Sequence, residues 1–349
     1  MNFRKLLTIA ALIVATLPIS AQQPLEGTTY YLPKTVMRFT FLVEKTTYEP
    51  GQFAAYARRY LKKDDVQQTN TTTYRIVDTR MDVVGEPDTT KCFQLLLDKR
   101  YTVSELFRAD NGVLLAINAQ NSVPQLPASF KPAPKKPHLN PKDYMNEDIL
   151  TAGSTAKMAE LVAQEIYDIR ESRSMLQRGQ AEFMPTDGEQ LRIMMNGLQT
   201  QEQALLQLFE GVTDIDTTEV TLTYVPMPGD EKQILFRFSE HFGMMDVDDL
   251  GGAPYYIEVT NGNVKPQPVS TNPEKRAKDD INLYVNIPSK IEVTLFNGVQ
   301  VDKKYELFAG QFGRMENLSG ELFGKKQTTR IVLNPITGGI EHMEEQTLK

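Results

Sequence analysis

Few residues in this chain have the type and spacing to do chemistry, and the first candidates are Glu165 and Glu202. If the two helices that carry them lie antiparallel, these carboxylates face each other at matched depth on an otherwise apolar seam. Two such acids raise each other's pKa or need a cation between them, which suits acid–base catalysis or cation binding. The structural alternative is that both lie at the seam margin, or that Arg170 or Arg173 neutralises them. Asp246, Asp248 and Asp249 form a second candidate, as oxygen ligands for calcium. They lack the spacing and distal glutamate of an EF-hand loop, so a solvated turn is the alternative. Ser154-Thr155-Ala156-Lys157 matches the Ser-x-x-Lys nucleophile motif of penicillin-binding proteins and serine β-lactamases. Its partner motifs Ser-Asp-Asn and Lys-Thr-Gly are missing, and serine is the expected helix cap there. The three histidines, His138, His241 and His342, are widely separated, with no His-Glu-x-x-His pattern. Cys92 is the single cysteine and reads as a half-buried, inert thiol. No cofactor is implied, and no catalytic set is assembled.

The elements that would position the glutamates are two amphipathic helices between Ile149 and Gly211. Ser154 caps the first, which runs to about Leu176 with Met158, Val162, Ile169 and Leu176 on one face. Thr186-Asp187-Gly188-Glu189 reads as the capping box of the second. Its Leu191, Met195, Leu198, Leu205 and Phe209 follow a 4,3 spacing, broken where Glu202 stands. One antiparallel register pairs Met158 with Phe209, Val162 with Leu205, Ile169 with Leu198 and Leu176 with Leu191. The same register sets Glu165 opposite Glu202.

Strand-rich regions flank the helices. Met37, Phe39, Phe41 and Val43 alternate with Arg38, Thr40 and Leu42, predicting a strand with one buried face. Tyr48-Glu49-Pro50-Gly51 is a turn, and Phe53 to Leu61 has helical spacing. Strands are expected at Thr72 to Val84 and Cys92 to Asp98, and a hairpin turn at Asp110-Asn111-Gly112. Val123 to Pro141 holds six prolines in 19 residues and reads as an extended, exposed connector, or as a peptide ligand for a groove. Later strands are expected near Glu219 to Tyr224, Gln233 to Phe238 and Tyr255 to Thr260. Glu219-Val220-Thr221-Leu222 recurs as Glu292-Val293-Thr294-Leu295, His241-Phe242-Gly243 is echoed by Gln311-Phe312-Gly313, and Ile257-Glu258-Val259 by Ile331-Val332-Leu333, suggesting a duplicated β module.

The expected organisation is a signal peptide (1–21), an N-terminal α+β domain (22–121), a proline-rich linker (122–144), a helical hairpin plus β module (145–268), a polar linker (269–280) and a C-terminal β module (281–349). The fold class is α+β, a strand-dominated multi-domain protein with a central antiparallel helical hairpin. Arg4 and Lys5, the apolar run from Leu6 to Leu17 and the small residues Ser20-Ala21 make a cleavable secretory signal. Removing Arg4 and Lys5 from the 38 basic residues leaves 36 against 45 acidic ones, a balance of −9. That charge, without basic clusters, argues against nucleic acid, and no later apolar run suits a transmembrane segment in the mature chain.

Asn140-Pro141-Lys142-Asp143-Tyr144-Met145, the stretch from Ile149 to Glu160, Glu165-Ile166-Tyr167-Asp168-Ile169-Arg170, Asp187-Gly188-Glu189-Gln190-Leu191 and Ala204 to Phe209 together carry a resemblance. So do Tyr48-Glu49-Pro50-Gly51, Tyr74 to Asp88 and Leu235-Phe236-Arg237-Phe238-Ser239. On them the chain resembles an uncharacterised family of exported Bacteroidetes proteins, a domain of unknown function. The resemblance implies a Gram-negative, periplasmic or outer-membrane-associated setting and brings no activity or site residues. The leading functional reading is a non-enzymatic binding or scaffolding protein of the cell envelope, whose partner is an envelope protein or a surface glycan. Alternatives are a carboxylate-dependent glycan or peptidoglycan hydrolase, using Glu165, Glu202, Asp246 and Asp248, and a cation-binding module.

Overall fold

The computed structural model describes residues 27–96, 101–135, 137–262 and 280–347. The expected signal peptide and nearly all of the expected polar linker lie outside the described residues.

Alternation of aromatic and β-branched residues with polar ones draws the chain into a strand longer than the sequence pattern suggested. Strand β1 covers Thr29–Glu49 and pairs antiparallel on one side with β2 (Thr71–Gln94) and on the other with β5 (Val212–Tyr224). A second antiparallel sheet has the order β10-β9-β8-β6-β7, from β6 (Gln233–Ser239), β7 (Gly243–Met245), β8 (Ala253–Asn261), β9 (Asp280–Asn297) and β10 (Gln300–Ser319). The third has the order β12-β11-β4-β3, from β3 (Leu106–Arg108), β4 (Leu114–Ile117), β11 (Gln327–Leu333) and β12 (Ile340–Thr347). These sheets join strands from spans that the sequence places in different units: β1 with β5, and β4 with β11.

Packing follows from which face each strand buries. Met37, Phe39, Phe41 and Val43 of β1 meet Phe236, Ile257 and Val293 of the five-stranded sheet, with the Phe41 and Phe236 rings edge-on at 4.7 Å. Burying each such aromatic contributes roughly 1.5–3 kcal/mol. The start of β1 (Tyr30, Leu32) enters a second core with Leu114, Leu283, Val285 and Ile331. Asn286, fully buried, ties this region together by donating from Nδ2 to the carbonyls of Pro33 (3.0 Å) and Thr337 (2.8 Å).

Helices α1 (Ala57–Leu61), α2 (Glu147–Leu150), α3 (Thr155–Arg178) and α4 (Gly188–Glu210) gather around a third core of Phe53, Ile149, Val162, Ile166, Leu205 and Phe209. Gly51 of the Tyr-Glu-Pro-Gly turn packs directly on the end of α4. A Cβ there would lie 2.3 Å from the Leu208 carbonyl oxygen, while the Phe53 N–H donates to that same carbonyl at 2.6 Å.

Three expectations are corrected. The fold is not built around a central helical hairpin: three antiparallel sheets carry it, and α3 and α4 pack in a separate helical core. The reason is visible in β2, where Gly85-Glu86-Pro87 looks like a break. That stretch stays paired with Pro33-Lys34-Thr35 beside a register shift that accommodates Pro33, so one 24-residue strand replaces two short ones. The repeated motifs occupy unlike places. Glu219–Leu222 lies on the outer strand β5 and its echo on the inner strand β9, while Ile257–Val259 and Ile331–Leu333 sit in different sheets. Finally, Cys92 is exposed rather than half-buried.

Candidate functional site

The helical hairpin forms as its caps dictate. The Ser154 side chain accepts from the Lys157 N–H at 3.2 Å and closes the open start of α3. Lys157 Nζ is held by Glu160 Oε1 at 3.0 Å, so the Ser-x-x-Lys pair acts as a cap and a surface ion pair. The second cap falls one residue later than read: Asp187, not Thr186, accepts from the Gln190 N–H at 2.7 Å. Gln190 Oε1 reaches back to the Thr186 N–H and hydroxyl, completing a reciprocal arrangement.

Inside the hairpin the two glutamates are held apart chemically. Glu202 is buried, its side chain 8% exposed, and Oε1 accepts from Arg170 Nε at 2.6 Å while Oε2 accepts from Arg173 Nη1 at 2.5 Å. Glu165 accepts from Asn146 Nδ2 at 3.0 Å and from Gln201 Nε2 at 3.5 Å. Asn146 also caps α2 by accepting from the Ile149 N–H, so Glu165 steadies that cap. Both carboxylate oxygens of Glu202 are thus committed to charge-assisted hydrogen bonds inside the hairpin. Glu202 has Arg170 and Arg173 as partners, whereas the side chains that donate to Glu165 are amides.

Asp246, Asp248 and Asp249 are exposed in the turn after β7. Their contacts there are local: the Asp249 N–H donates to the Asp246 carbonyl at 3.2 Å, and Asp249 Oδ1 accepts from the Gly251 N–H at 3.0 Å. Among the described residues no group of three or more His, Cys, Asp or Glu is placed to hold a metal ion. His138 contacts Asp214, and His342 approaches Glu344 at 4.0 Å, both on the surface.

The hairpin's distal end offers a different kind of site. There the seam loosens, because α3 and α4 bury their apolar residues chiefly near the base, at Val162, Ile166, Leu205 and Phe209. A hollow of about 540 Å3 remains, lined by Met175, Leu176, Phe183, Met194 and Leu198. Phe183 is 81% exposed, and its chain neighbour Met184 is also exposed. In the first turn of α4 Arg192 grips Glu189 and lowers its carboxyl pKa. Sequence reasoning missed this surface, although Phe183-Met184, two large apolar residues in a polar interhelical loop, was its signal. A larger hollow of about 860 Å3 lies by β11 and β12 and is rimmed by Glu321, Lys325, Lys326 and Glu345. Another, about 620 Å3, sets Asp246 and Asp249 beside Leu222, Phe236 and Met244. Among the described residues no helix is long and apolar enough to cross a membrane.

No curated protein and no solved structure matches the chain. A family model described as a domain of unknown function matches residues 26–341, nearly all of the strands and both long helices. The chain therefore belongs to the DUF4831 family, a domain of unknown function.

Proposed function

We propose that this is a non-enzymatic binding or scaffolding protein of the cell envelope, exported by its N-terminal signal, which engages a protein partner through the distal end of the α3–α4 hairpin. The observation that carries the reading is the exposed apolar hollow around Phe183, Met175 and Met194. Contiguous exposed apolar surface of this kind marks interaction sites, and methionine adapts its shape to a partner. The base of the hairpin supports the reading because the glycine contact at Leu208 and the tilted Phe53–Phe209 ring pair, 5.5 Å between centroids, tie it to the Tyr-Glu-Pro-Gly turn at the end of β1. The periplasmic or outer-membrane-associated setting is proposed from the expected leader and from the resemblance to exported proteins.

Co-isolation from envelope fractions tests the reading. The native chain should recover a stoichiometric partner that the double variant Phe183→Ser, Met194→Ser does not, with both chains equally folded. Equal recovery by both, or a lone monomer from the native chain, would overturn it.

A further inference from the structure

Strand β5 is the outer strand of its sheet. All thirteen of its residues pair in unbroken register with β1, and among the described residues no strand pairs with its other edge. Along that edge runs the proline-rich segment, antiparallel to β5. The Phe130 N–H donates to Glu219 Oε2 at 2.7 Å, Lys135 Nζ meets Asp216 Oδ1 at 2.5 Å, and His138 Nε2 meets Asp214 Oδ1 at 2.8 Å. All three anchors on β5 are side chains. Among the described residues no backbone–backbone hydrogen bond joins the segment to β5. Prolines at 124, 127, 132, 134 and 137 explain this, since each lacks the N–H a ladder requires.

We propose that the free edge of β5 is a docking edge for an extended, basic segment of a partner protein, and that the proline-rich segment is a built-in cover which this partner displaces. The cover is held by one ion pair and one histidine–carboxylate hydrogen bond whose groups are about half exposed, a weak class of surface contact. An incoming strand would add main-chain ladder bonds that the cover does not make, the mode by which sheets accept peptides. Charge selects the occupant. Asp214, Asp216 and Glu219 make the edge acidic, and the cover meets Asp216 with the Lys135 ammonium and Asp214 with the His138 ring. A second copy is disfavoured, because β5 carries Asp214, Asp216 and Glu219 and no lysine or arginine with which another β5 could answer them. Ile215, 54% exposed between the two aspartates, gives the partner an apolar contact. This edge is independent of the hairpin hollow, and either proposal can fail alone.

The test uses the full exported chain and a variant whose residues 124–139 are replaced by glycine and serine of equal length. The probe is a labelled peptide alternating lysine and threonine, about ten residues long, matched to the length of the edge. It should bind the uncovered variant at least about tenfold more tightly than the native chain. Asp214→Asn with Asp216→Asn should weaken that binding by about tenfold or more. An alternating N-methylated probe, which cannot complete a ladder, should not bind. If the glycine–serine chain does not fold, Lys135→Gln with His138→Gln removes two of the three anchors while keeping the prolines, and should likewise bind more tightly than native. No gain on uncovering, equal binding by the N-methylated probe, or self-association of the uncovered chain would each overturn the proposal.

Discussion

Replacing Glu202 with alanine isolates what the buried carboxylate does. Its side chain is 8% exposed, and Arg170 and Arg173 are 35% and 30% exposed, so the substitution strands two guanidiniums that are only partly in water. Breaking a fully buried pair costs roughly 3–5 kcal/mol. Two features reduce that figure here. About a third of each guanidinium already reaches solvent, and Arg170 keeps a second contact over the Tyr167 ring at 5.7 Å. A loss of about 2 kcal/mol is the expected outcome. Combining Glu202→Leu with Arg170→Met and Arg173→Met removes the charges together and should lie within about 1 kcal/mol of native. Urea unfolding followed by helical circular dichroism measures both, with Glu165→Ala as a control that should cost under about 1 kcal/mol. If Glu202→Ala is neutral, or the triple variant is as unstable as the single one, the clasped carboxylate is not structural and the argument is wrong.

Further outcomes follow from the same structure. Gly51→Ala should cost about 2–3 kcal/mol in urea unfolding, because its Cβ would stand 2.3 Å from the Leu208 carbonyl and the backbone must yield. Asn286→Ala should cost about 2–4 kcal/mol, since the Pro33 and Thr337 carbonyls lose their buried donor. Burial, with donation to Asp230, pushes the Tyr224 phenol from 10.0 up to about 12. The unfolded chain therefore releases that proton first, so this contribution to stability is complete below pH 10.0 and is lost as pH rises toward about 12. Tyr224→Phe should flatten that fall in a pH series of unfolding midpoints.

Local signals were legible and pairing was not. Ser154 showed its cap because capping chemistry is confined to one turn, and the alternation from Met37 to Val43 showed a buried face. Period-two alternation identifies a face but not a neighbour, so nothing near β1 announced that Phe41 pairs with Val220 on β5. The helices were overweighted for the same reason: an amphipathic helix declares itself over a few turns, whereas β2 gains its continuity through Gly85 from its pairing with β1. Composition marked Val123 to Pro141 as extended, yet its position depends on Asp214, Asp216 and Glu219, some eighty residues away. At the hairpin, register correctly set Glu202 on the inner face, and Arg170 and Arg173 were named as its possible partners. The distal hollow escaped because the wheel treats the seam as uniform, while burial fades from Phe209 toward Met194.

The most direct test of the binding reading places a photo-crosslinking residue at position 183 of the exported chain and, as a control, at Arg58, whose side chain is 85% exposed on another surface. Irradiation of intact cells should yield one discrete adduct with an envelope protein from position 183 and none from position 58. An uncrosslinked chain at both positions, or the same adducts from both, would contradict the account.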